Sequence, residues 1–512
     1  METGLLIERL LQFGEKHHFI GRLDKIVARN TLLDLFCLAQ PYDKAVPNEE
    51  LTVPTEILDA LVENAGEAGL FDKDISALAI NFEARIMGAI MPRQSEVEAQ
   101  FAHLRDTKGI TAATDYFYDL CVKANYIRTA QIAKNIKWDY PCKYGSLEIT
   151  INLTKPEKDP KTIAMERLAP SVSYPKCMLC IDNIGYAGRV NFPARQTHRV
   201  VPITLTGEQW YLQYSPYVYY NEHCIIFSEK HEPMSINAKS FAQIFDFVTQ
   251  YPHYTCGSNA DLPIVGGSIL SHTHFQGGKY VFPMQNAKEL CKYTSDEYKE
   301  LKFATLKWPV STLRVTGKDK TAMLRFAESF LLKWREYTDE SAEVLAYTVE
   351  NGEKTPHNTV TPILHYTDAE GYVLDLVPRN NRTSKEFPEG IFHPHREIHH
   401  IKKENIGLIE VMGLAILPSR LKAQSELVAG VLTSENAIDD IKAKAPEHSD
   451  WIDELTAKFG TNSSKAKADE IVKSAIGAKF EACLEHAGVY KQTQEGSDAF
   501  TRFLSTLGLL IK

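Results

Sequence analysis

The sequence predicts an α+β protein with helical regions at both ends and a mainly antiparallel sheet between them. In residues 1–145, apolar side chains recur near the helical period, as in Leu6, Leu10 and Phe13. The pattern changes at Leu147–Leu153, where apolar and polar residues alternate as in a half-buried strand. Beyond residue 420 the helical pattern returns. We therefore predict four segments, 1–145, 146–310, 311–420 and 421–512.

Composition narrows the class of protein. The chain has 512 residues, 44% hydrophobic and 24% charged, which is typical of globular proteins. A net charge of −9 argues against nucleic-acid binding, which needs a basic face. No apolar stretch approaches the ~20 residues of a membrane span, and the charged N-terminus is unlike a signal peptide. Nine cysteines in so long a chain do not indicate a disulfide framework. We predict a cytoplasmic protein without nucleic-acid or membrane partners.

Local patterns place individual elements along the chain. A helix is predicted over Asp115–Trp138, and Asn237 is predicted to cap another. Strands are predicted on both sides of Pro216 and in four further segments, Ile269–Gln276, Lys279–Phe282, Pro362–Tyr366 and Tyr372–Val377.

The most informative stretch is the predicted strand Ile269–Gln276, which follows a Gly-Gly-Ser turn. Alternate side chains of a strand share a face, so His272, His274 and Gln276 would line up on one side. Burying such groups costs free energy unless each is hydrogen-bonded or metal-bound. A neutral imidazole can attack a phosphoryl centre and form a covalent intermediate. Histidines that are merely hydrogen-bonded parts of the core are the alternative.

This H-x-H-x-Q motif resembles the active site of the galactose-1-phosphate uridylyltransferases, the transferase branch of the histidine-triad superfamily. The resemblance implies a histidine-triad-like antiparallel sheet with flanking helices and a degenerate second copy over 311–420. It implies that His274 is uridylylated, that Gln276 stabilises the intermediate, and that Gly267 and Ser268 lie beside the phosphates. Hydrolases of the superfamily usually carry a third histidine in place of Gln276, and its replacement favours transfer between sugar phosphates.

A second motif, Cys177-x-x-Cys180, is weak alone, since it could be chance or a redox pair. The resemblance implies that both cysteines, together with His231 and His272, bind a structural zinc ion. The family's first class carries a second metal. Leu374–Val377 stands where part of that site belongs, so we predict no second metal.

Further motifs resemble the second, longer bacterial class of the family. They are Tyr126–Arg128, Asn152–Pro160 and Pro193–Arg199. The resemblance implies four substrate-binding residues in or near them, Lys134, Asn135, Arg195 and Arg199. Arginine offers a planar, permanently charged fork for a diphosphate, although surface ion pairs are the ordinary alternative.

A rival H-x-H occurs at His393 and His395. There Arg396-Glu397 replaces the expected Gly-Gln, so we favour His274 as the nucleophile. Sugar-phosphate binding or a structural role remains for the rival pair. Upstream, a predicted loop carries Arg379 and Arg382, which could grip the hexose phosphate or lie in a solvated turn.

The function implied by the resemblance is uridylyl exchange in galactose metabolism, the Leloir pathway. UDP-glucose binds first and leaves its uridylyl group on His274, and galactose 1-phosphate then takes that group. The family suggests a homodimer. Two alternatives stay open: a different nucleotidyl transfer, such as that of a dinucleoside polyphosphate phosphorylase, and a non-enzymatic nucleotide-binding or metal-stabilised interaction protein.

Overall fold

The computed structural model describes residues 2–154, 161–162, 165, 169 and 172–512. Most of the Asn152–Pro160 motif lies outside these residues. The chain divides into two compact units. The first comprises Met1–Lys134 and Thr154–His231, and the second comprises Asn135–Leu153 and Glu232–Lys512. The four predicted segments stay predictions.

The described helices fall into two groups along the chain. The first group is α1 Thr3–Lys16, α2 Asp24–Leu35, α3 Thr55–Glu67, α4 Ser76–Gly88, α5 Gln94–Lys108, α6 Ile110–Lys123 and the single turn α7 Thr129–Ile132. The second group is α8 Ala238–Gln250, α9 Lys320–Glu336, α10 Leu408–Val411, α11 Arg420–Leu432, α12 Ile438–Lys444, α13 Ser449–Phe459, α14 Lys465–Ala487 and α15 Gln494–Ser505. Helical regions at both ends of the chain are thereby confirmed. None of these helices is both long enough and apolar enough to cross a membrane.

The strands lie mostly between these two groups. They are β1 Ile136–Cys142, β2 Gly145–Ile151, β3 Val201–Leu205, β4 Glu208–Tyr214, β5 Cys224–Ser228, β6 Thr255–Gly257, β7 His274–Gly278, β8 Glu289–Ser295, β9 Lys302–Leu306, β10 Leu313–Gly317, β11 Tyr347–Glu350, β12 Glu353–Pro356, β13 Asn358–Thr367, β14 Gly371–Asn380, β15 Leu414–Leu417 and β16 Leu509–Ile511. The two strands predicted around Pro216 correspond to β4 and β5.

The helix predicted over Asp115–Trp138 is not continuous: its second half contains only the single turn α7. Helix α6 ends at Lys123, and Asn125 adopts a left-handed φ of 52°, which stops the helix. Trp138 lies in β1, where half-buried and exposed residues alternate. The strand period therefore overrides the weaker helical pattern here.

In the second unit, a large antiparallel sheet has the strand order β16-β8-β9-β10-β14-β13-β6-β7. The longest pair, β13 with β14, begins with Asn358 opposite Asn380. A Cβ added at Gly257 in β6 would meet the Pro362 carbonyl oxygen at 2.7 Å, so only glycine fits at this strand contact. The predicted antiparallel sheet is confirmed.

Helices α8 and α9 pack against β13 and flank this sheet. Helix α8 begins as predicted, because the Asn237 side chain accepts a hydrogen bond from the backbone N–H of Ser240 at 3.1 Å. Its apolar stripe is buried, comprising Phe241, Ile244, Phe245 and Val248. The helix thus holds the middle of the sheet, next to the strands that carry the predicted site.

A separate three-stranded sheet in the second unit has the order β1-β2-β15. Strands β1 and β2 form an antiparallel hairpin, and β15 pairs with β2 in parallel, with Leu414 opposite Glu148. The hydroxyl of Tyr280 donates to the Glu148 carboxylate at 2.5 Å. This bond connects the small sheet to the chain that follows β7.

In the first unit, β3, β4 and β5 form an antiparallel sheet in that order. The segment before β3 is fixed by Arg199, whose Nε and Nη2 atoms donate to the Pro92 carbonyl oxygen at 2.9 and 2.8 Å. Pro92 lies between α4 and α5, so this side chain joins the helical part of the unit to its sheet.

Candidate active site and metal site

The strand that carries His274 is shorter than predicted. Strand β7 begins at His274, so the prediction of a strand over Ile269–Gln276 is wrong in its first half. The strand predicted over Lys279–Phe282 is absent, although these residues are described. The single alternating face proposed for His272, His274 and Gln276 is therefore not formed by one regular strand.

The reason lies in the backbone bonding of the preceding residues. The N–H of Met234 donates to the Leu270 carbonyl at 2.9 Å, and the N–H of Thr273 donates to the Glu232 carbonyl at 2.8 Å. This segment is thus held by an irregular loop instead of a strand ladder. His272 and His274 are nevertheless both buried, at 1% and 5% exposure.

The hydrogen bond of His274 shows which ring nitrogen carries the lone pair. Its Nδ1 lies 2.8 Å from the carbonyl oxygen of His272. A carbonyl can only accept, so Nδ1 carries the proton, and Nε2 of the neutral ring carries the lone pair. Burial is the main cause that lowers the pKa of His274 to about 4. The ring is therefore neutral near pH 7 and offers Nε2 as a nucleophile.

The glycine turn before this strand is closely packed. A Cβ added at Gly267 would lie 2.7 Å from the amide nitrogen of Asn259. The amide nitrogen of Asn405 donates to the Gly266 carbonyl at 3.3 Å. Ser268 is exposed at the end of the turn. The motif indicated the turn, but Asn259 and Asn405 were missed because no local pattern marks them.

Next to this turn lies His393 of the rival motif. Its Nδ1 lies 3.0 Å from the Pro394 carbonyl oxygen, and its Nε2 lies 3.3 Å from Oδ1 of Asn405. Burial lowers the pKa of His393. Both partners are acceptors and the neutral ring has a single N–H, so it donates to only one of them. Asn405 lies between His393 and the glycine turn.

Arg379 lies in strand β14, so its prediction as part of a loop is wrong. The side chain is 1% exposed, and Nη2 donates to the Ile406 carbonyl at 2.8 Å. Its Nε and Nη1 atoms are buried and have no hydrogen-bond partner among the described residues. Burial lowers the pKa of Arg379 to about 10. Buried N–H donors of a cation normally have an acceptor, and an anionic group would suit these two.

Arg382 is placed differently from Arg379. It is only half-buried, and its Nε and Nη2 atoms donate to the Glu343 carbonyl at 3.1 and 2.6 Å. Two of its guanidinium nitrogens are thus hydrogen-bonded to that backbone carbonyl. Asn135, another predicted substrate residue, accepts a hydrogen bond from the N–H of Leu153 at 2.7 Å.

In the first unit, the two predicted arginines also differ. Arg199 donates to three backbone carbonyls and is 8% exposed, which indicates a structural task. Arg195 donates to the Tyr126 hydroxyl at 3.2 Å, while its Nε is buried without a partner among the described residues. Oε1 of the neighbouring Gln196 and Nδ1 of His198 are likewise buried without a hydrogen-bond partner among the described residues. Lys134 is exposed.

The first unit holds a Cys/His cluster that could bind a metal ion. The Sγ atoms of Cys177 and Cys180 are 3.6 Å apart, and Nδ1 of His231 lies 3.1 Å from Sγ of Cys180. Two sulfurs on one tetrahedral zinc ion would be about 3.7 Å apart at the usual Zn–S length. Sulfur and imidazole donors at this spacing fit zinc. His272, the fourth predicted ligand, belongs to the second unit.

A second group of possible ligands, all in the second unit, consists of His395, Glu397 and His486. Nδ1 of His486 accepts from the backbone N–H of His395 at 3.2 Å. The proton of the neutral His486 ring must then sit on Nε2, the nitrogen that faces Glu397 at 3.7 Å. This tautomer cannot coordinate a metal through Nε2, so the geometry disfavours a site here.

Fold and site together define an α+β protein with a large antiparallel sheet, a Cys/His cluster able to bind a metal, and a buried histidine whose Nε2 is available for nucleophilic attack.

Two family models match the chain. The model described as "Galactose-1-phosphate uridyl transferase, N-terminal domain" matches residues 38–233, and that of the C-terminal domain matches residues 247–451. Together they cover most of the sequence. The chain belongs to the galactose-1-phosphate uridyl transferase family.

Curated relatives agree over nearly the whole length. The chain is 49% identical to a galactose-1-phosphate uridylyltransferase of Caldanaerobacter subterraneus subsp. tengcongensis, over 98% of this chain and 97% of that one. It is 44% identical to one of Bacillus subtilis, again over 98% and 97%. A crystal structure of yeast Ap4A phosphorylase Apa2 is similar at a TM-score of 0.31 and 12% identity, covering 66% of this chain and 93% of that one. A likeness this weak decides neither fold nor activity.

Proposed function

We propose that the protein transfers the uridylyl group of UDP-glucose to galactose 1-phosphate by way of His274, as part of galactose metabolism. The observation that carries the proposal is the bond from Nδ1–H of His274 to the His272 carbonyl, which leaves the lone pair on Nε2. Family membership supplies the substrate class. The names of the relatives supply the reaction.

In the first half-reaction, Nε2 of His274 attacks the α-phosphorus of UDP-glucose. An N–P bond forms, the P–O bond to glucose 1-phosphate breaks, and that group leaves. In the second half-reaction, a phosphate oxygen of galactose 1-phosphate attacks the same phosphorus and the N–P bond breaks, which yields UDP-galactose. The retained Nδ1–H keeps its bond to the His272 carbonyl, which stabilises the positive charge on the modified ring.

The residues around the glycine turn fit a role in holding phosphate. Gln276 would donate to the phosphoryl oxygens without adding charge, and Gly267 and Ser268 would lie beside them. Gly267 is supported by its packing, since any side chain there would collide with Asn259.

Among the predicted arginines, Arg379 has the best-supported role in binding the sugar phosphate. Its two buried, unpartnered donors need an acceptor, and an anionic oxygen would satisfy them. Arg195 is supported by its unpartnered Nε in the same way. Lys134 and Asn135 are proposed on the sequence resemblance alone. Arg199 and Arg382 donate to backbone carbonyls, so we propose that they shape the binding loops.

We further propose that the metal is a structural zinc ion held by Cys177, Cys180, His231 and His272. The donor types support zinc, because thiolate and imidazole together favour it over hard cations. Burial raises the pKa of the Cys177 thiol to about 11, so a cation would be needed to keep it ionised. His272 as a ligand would fix the carbonyl that orients His274. A second metal is not proposed.

The isotope-exchange assay tests the proposal directly. UDP-glucose incubated with labelled glucose 1-phosphate, in the absence of galactose 1-phosphate, is expected to exchange label, because the first half-reaction is reversible on its own. A non-enzymatic binding protein would bind UDP-glucose without exchange. A phosphorylase would accept inorganic phosphate in place of the sugar phosphate. Either outcome would overturn the proposal.

Two further proposals rest on the sequence and the family. They are a cytoplasmic location and a homodimer, and sedimentation of the purified chain tests the second.

A further inference from the structure

A cavity of about 690 Å³ lies in the second unit among helices α11, α13 and α14. Its volume is within the range of small-molecule pockets, about 300–1,000 Å³. No residue that we assign to uridylyl transfer lines it. The lining residues that matter here are His400, Arg420, Glu447, Asp450, Trp451 and Lys479.

The donors and acceptors of the hydrogen bonds beside this cavity can be assigned, starting from Gln424. Nη1 of Arg420, which can only donate, lies 2.8 Å from Oε1 of Gln424. Nε2 of Gln424 donates to the Glu447 carboxylate at 2.5 Å. The amide orientation of Gln424 is therefore determined by a pure donor on one side and a pure acceptor on the other.

The same reasoning assigns the ring protons of two histidines, His448 and His400. Nε2 of His448 lies 3.1 Å from the oxygen of Gln424, so it must carry the proton. Nδ1 of the neutral His448 ring is then an acceptor, and it lies 2.8 Å from Nδ1 of His400. His400 must donate this bond. Its proton is on Nδ1, and its lone pair is on Nε2.

Nε2 of His400 has no hydrogen-bond partner among the described residues, and the ring lines the cavity. Burial, and after it the neighbouring His448, lowers the pKa of His400 to about 3. The nitrogen therefore stays a neutral acceptor. His400 belongs to neither group of described residues that could hold a metal ion. Its natural partner is a hydroxyl or amine that donates a hydrogen bond.

The charges of the cavity narrow the class of ligand. Lys479 pairs with Glu454 at 3.1 Å, and Arg420 and the Glu447 carboxylate are both bound to Gln424. The cavity is lined by three cations and four carboxylates, so its charge is nearly balanced and favours neither a net anion nor a net cation. They are Arg396, Arg420 and Lys479, and Glu397, Glu447, Asp450 and Glu454. Sugar hydroxyls both donate and accept, so they can meet a lone pair, carboxylates and a guanidinium together.

We propose that this cavity is a second, non-catalytic binding site for a neutral hexose, with a sugar hydroxyl donating to Nε2 of His400. The proposal does not depend on the proposed uridylyl transfer. It adds a ligand site to a part of the chain to which that reaction assigns no task.

Nitrogen-15 NMR of the histidine-labelled full chain tests the proposal at the atom concerned. The free protein is expected to show His400 protonated at Nδ1 only. Titration with D-galactose or D-glucose is expected to shift the Nε2 resonance of His400 saturably, and saturating UDP-glucose should not suppress that shift. Inorganic phosphate should leave it unchanged. A His400 proton on Nε2, no saturable response to either hexose, or a response to phosphate alone would each overturn the proposal.

Variants provide the second readout, hexose binding by calorimetry in the presence of UDP-glucose. His400→Phe keeps a ring but removes the acceptor, so affinity is expected to fall about tenfold, the upper range for one hydrogen bond. The control is His365→Phe, a half-buried histidine outside the cavity whose pKa is also lowered by burial. Equal loss in both variants would contradict the proposal. If His400→Phe does not fold, the wild-type titration decides alone.

Discussion

Two segments of the second unit carry the same H-x-H pattern and receive opposite surroundings. His274 bonds through Nδ1 to the carbonyl two residues before it and keeps Nε2 available. His395 bonds through Nε2 to the Ile391 carbonyl, and its ring is stacked on Phe387 and His486, with centroids 4.1 Å away in both cases. Its remaining nitrogen faces Glu397 at 3.9 Å.

The two motifs also differ in the residue two positions after the second histidine. Gln276 and Glu397 occupy equivalent positions, two residues after His274 and His395. A neutral amide can donate to an incoming phosphate, whereas a carboxylate repels it. A closely packed glycine turn precedes the first pattern, while aromatic rings stack on both faces of His395 in the second. The residues around the motif, more than the motif itself, therefore decide its chemistry.

The largest effect is expected from removing the proposed nucleophile of the first motif. His274→Ala is expected to lower turnover by about 10⁴-fold or more, because it removes the nucleophile that we propose carries the uridylyl group. Intact-mass spectra after incubation with UDP-glucose should show a UMP adduct on the wild type and none on the variant. His395→Ala is the control and should keep the adduct. An adduct that persists in His274→Ala would move the nucleophile elsewhere.

The next largest effect concerns Gln276 and Glu397, the residues at equivalent positions of the two motifs. Gln276→Ala is expected to lower kcat by about 10²- to 10³-fold, since the variant loses the donor that we propose for the transition-state oxygens. Glu397→Ala should change kcat little. Steady-state kinetics with both substrates measures the two variants. Similar losses in both would contradict the distinction drawn between the motifs.

Metal removal tests the Cys/His cluster. We propose that this cluster includes His272 of the first motif. Cys177→Ser, or a strong chelator, is expected to lower the melting temperature by about 5 °C or more and to release zinc. Thermal unfolding with elemental analysis checks this, and Cys142→Ser, outside the cluster, is the control. Unchanged metal content in Cys177→Ser would rule out that cysteine as a ligand.

A smaller effect concerns the side chain that joins the two motifs. Asn405→Ala removes the side chain that contacts both His393 and the Gly266 carbonyl. Because sugar-phosphate binding is a role open to His393, the KM for galactose 1-phosphate is expected to rise about tenfold. The rate of adduct formation from UDP-glucose should change less. Equal changes in both half-reactions would instead indicate a general loss of structure.

The smallest effect is a pH dependence of stability at the second motif. Burial, and after it His395, lowers the pKa of His486 from 6.5 to about 4. A histidine with a depressed pKa contributes full stability above its unfolded value, and this contribution is lost as the pH falls from about 6.5 to 4. Replacing His486 by Gln should flatten the decline in melting temperature over that range. An identical slope in both proteins would contradict the shift.

The sequence predicted much of this correctly, but unevenly. The capped helix at Asn237 and the antiparallel strands follow from local patterns, so they could be read directly. The irregular chain before His274 could not, because it depends on bonds to Glu232 and Met234, which no periodicity records. The same holds for Asn405, which is far from Gly266 in sequence. Arg379 was expected in a loop because its polar neighbours resemble a turn, yet β14 extends through it.

The parallel pairing of β2 with β15 has a consequence for synthesis of the chain. The hairpin emerges from the ribosome before its partner strand, which follows only after β3 to β14 have been made. Until then one edge of β2 has no neighbour and must be shielded from other chains. Folding of the small sheet is therefore expected to complete only once β15 has left the ribosome, with protease resistance of the nascent chain rising at that length.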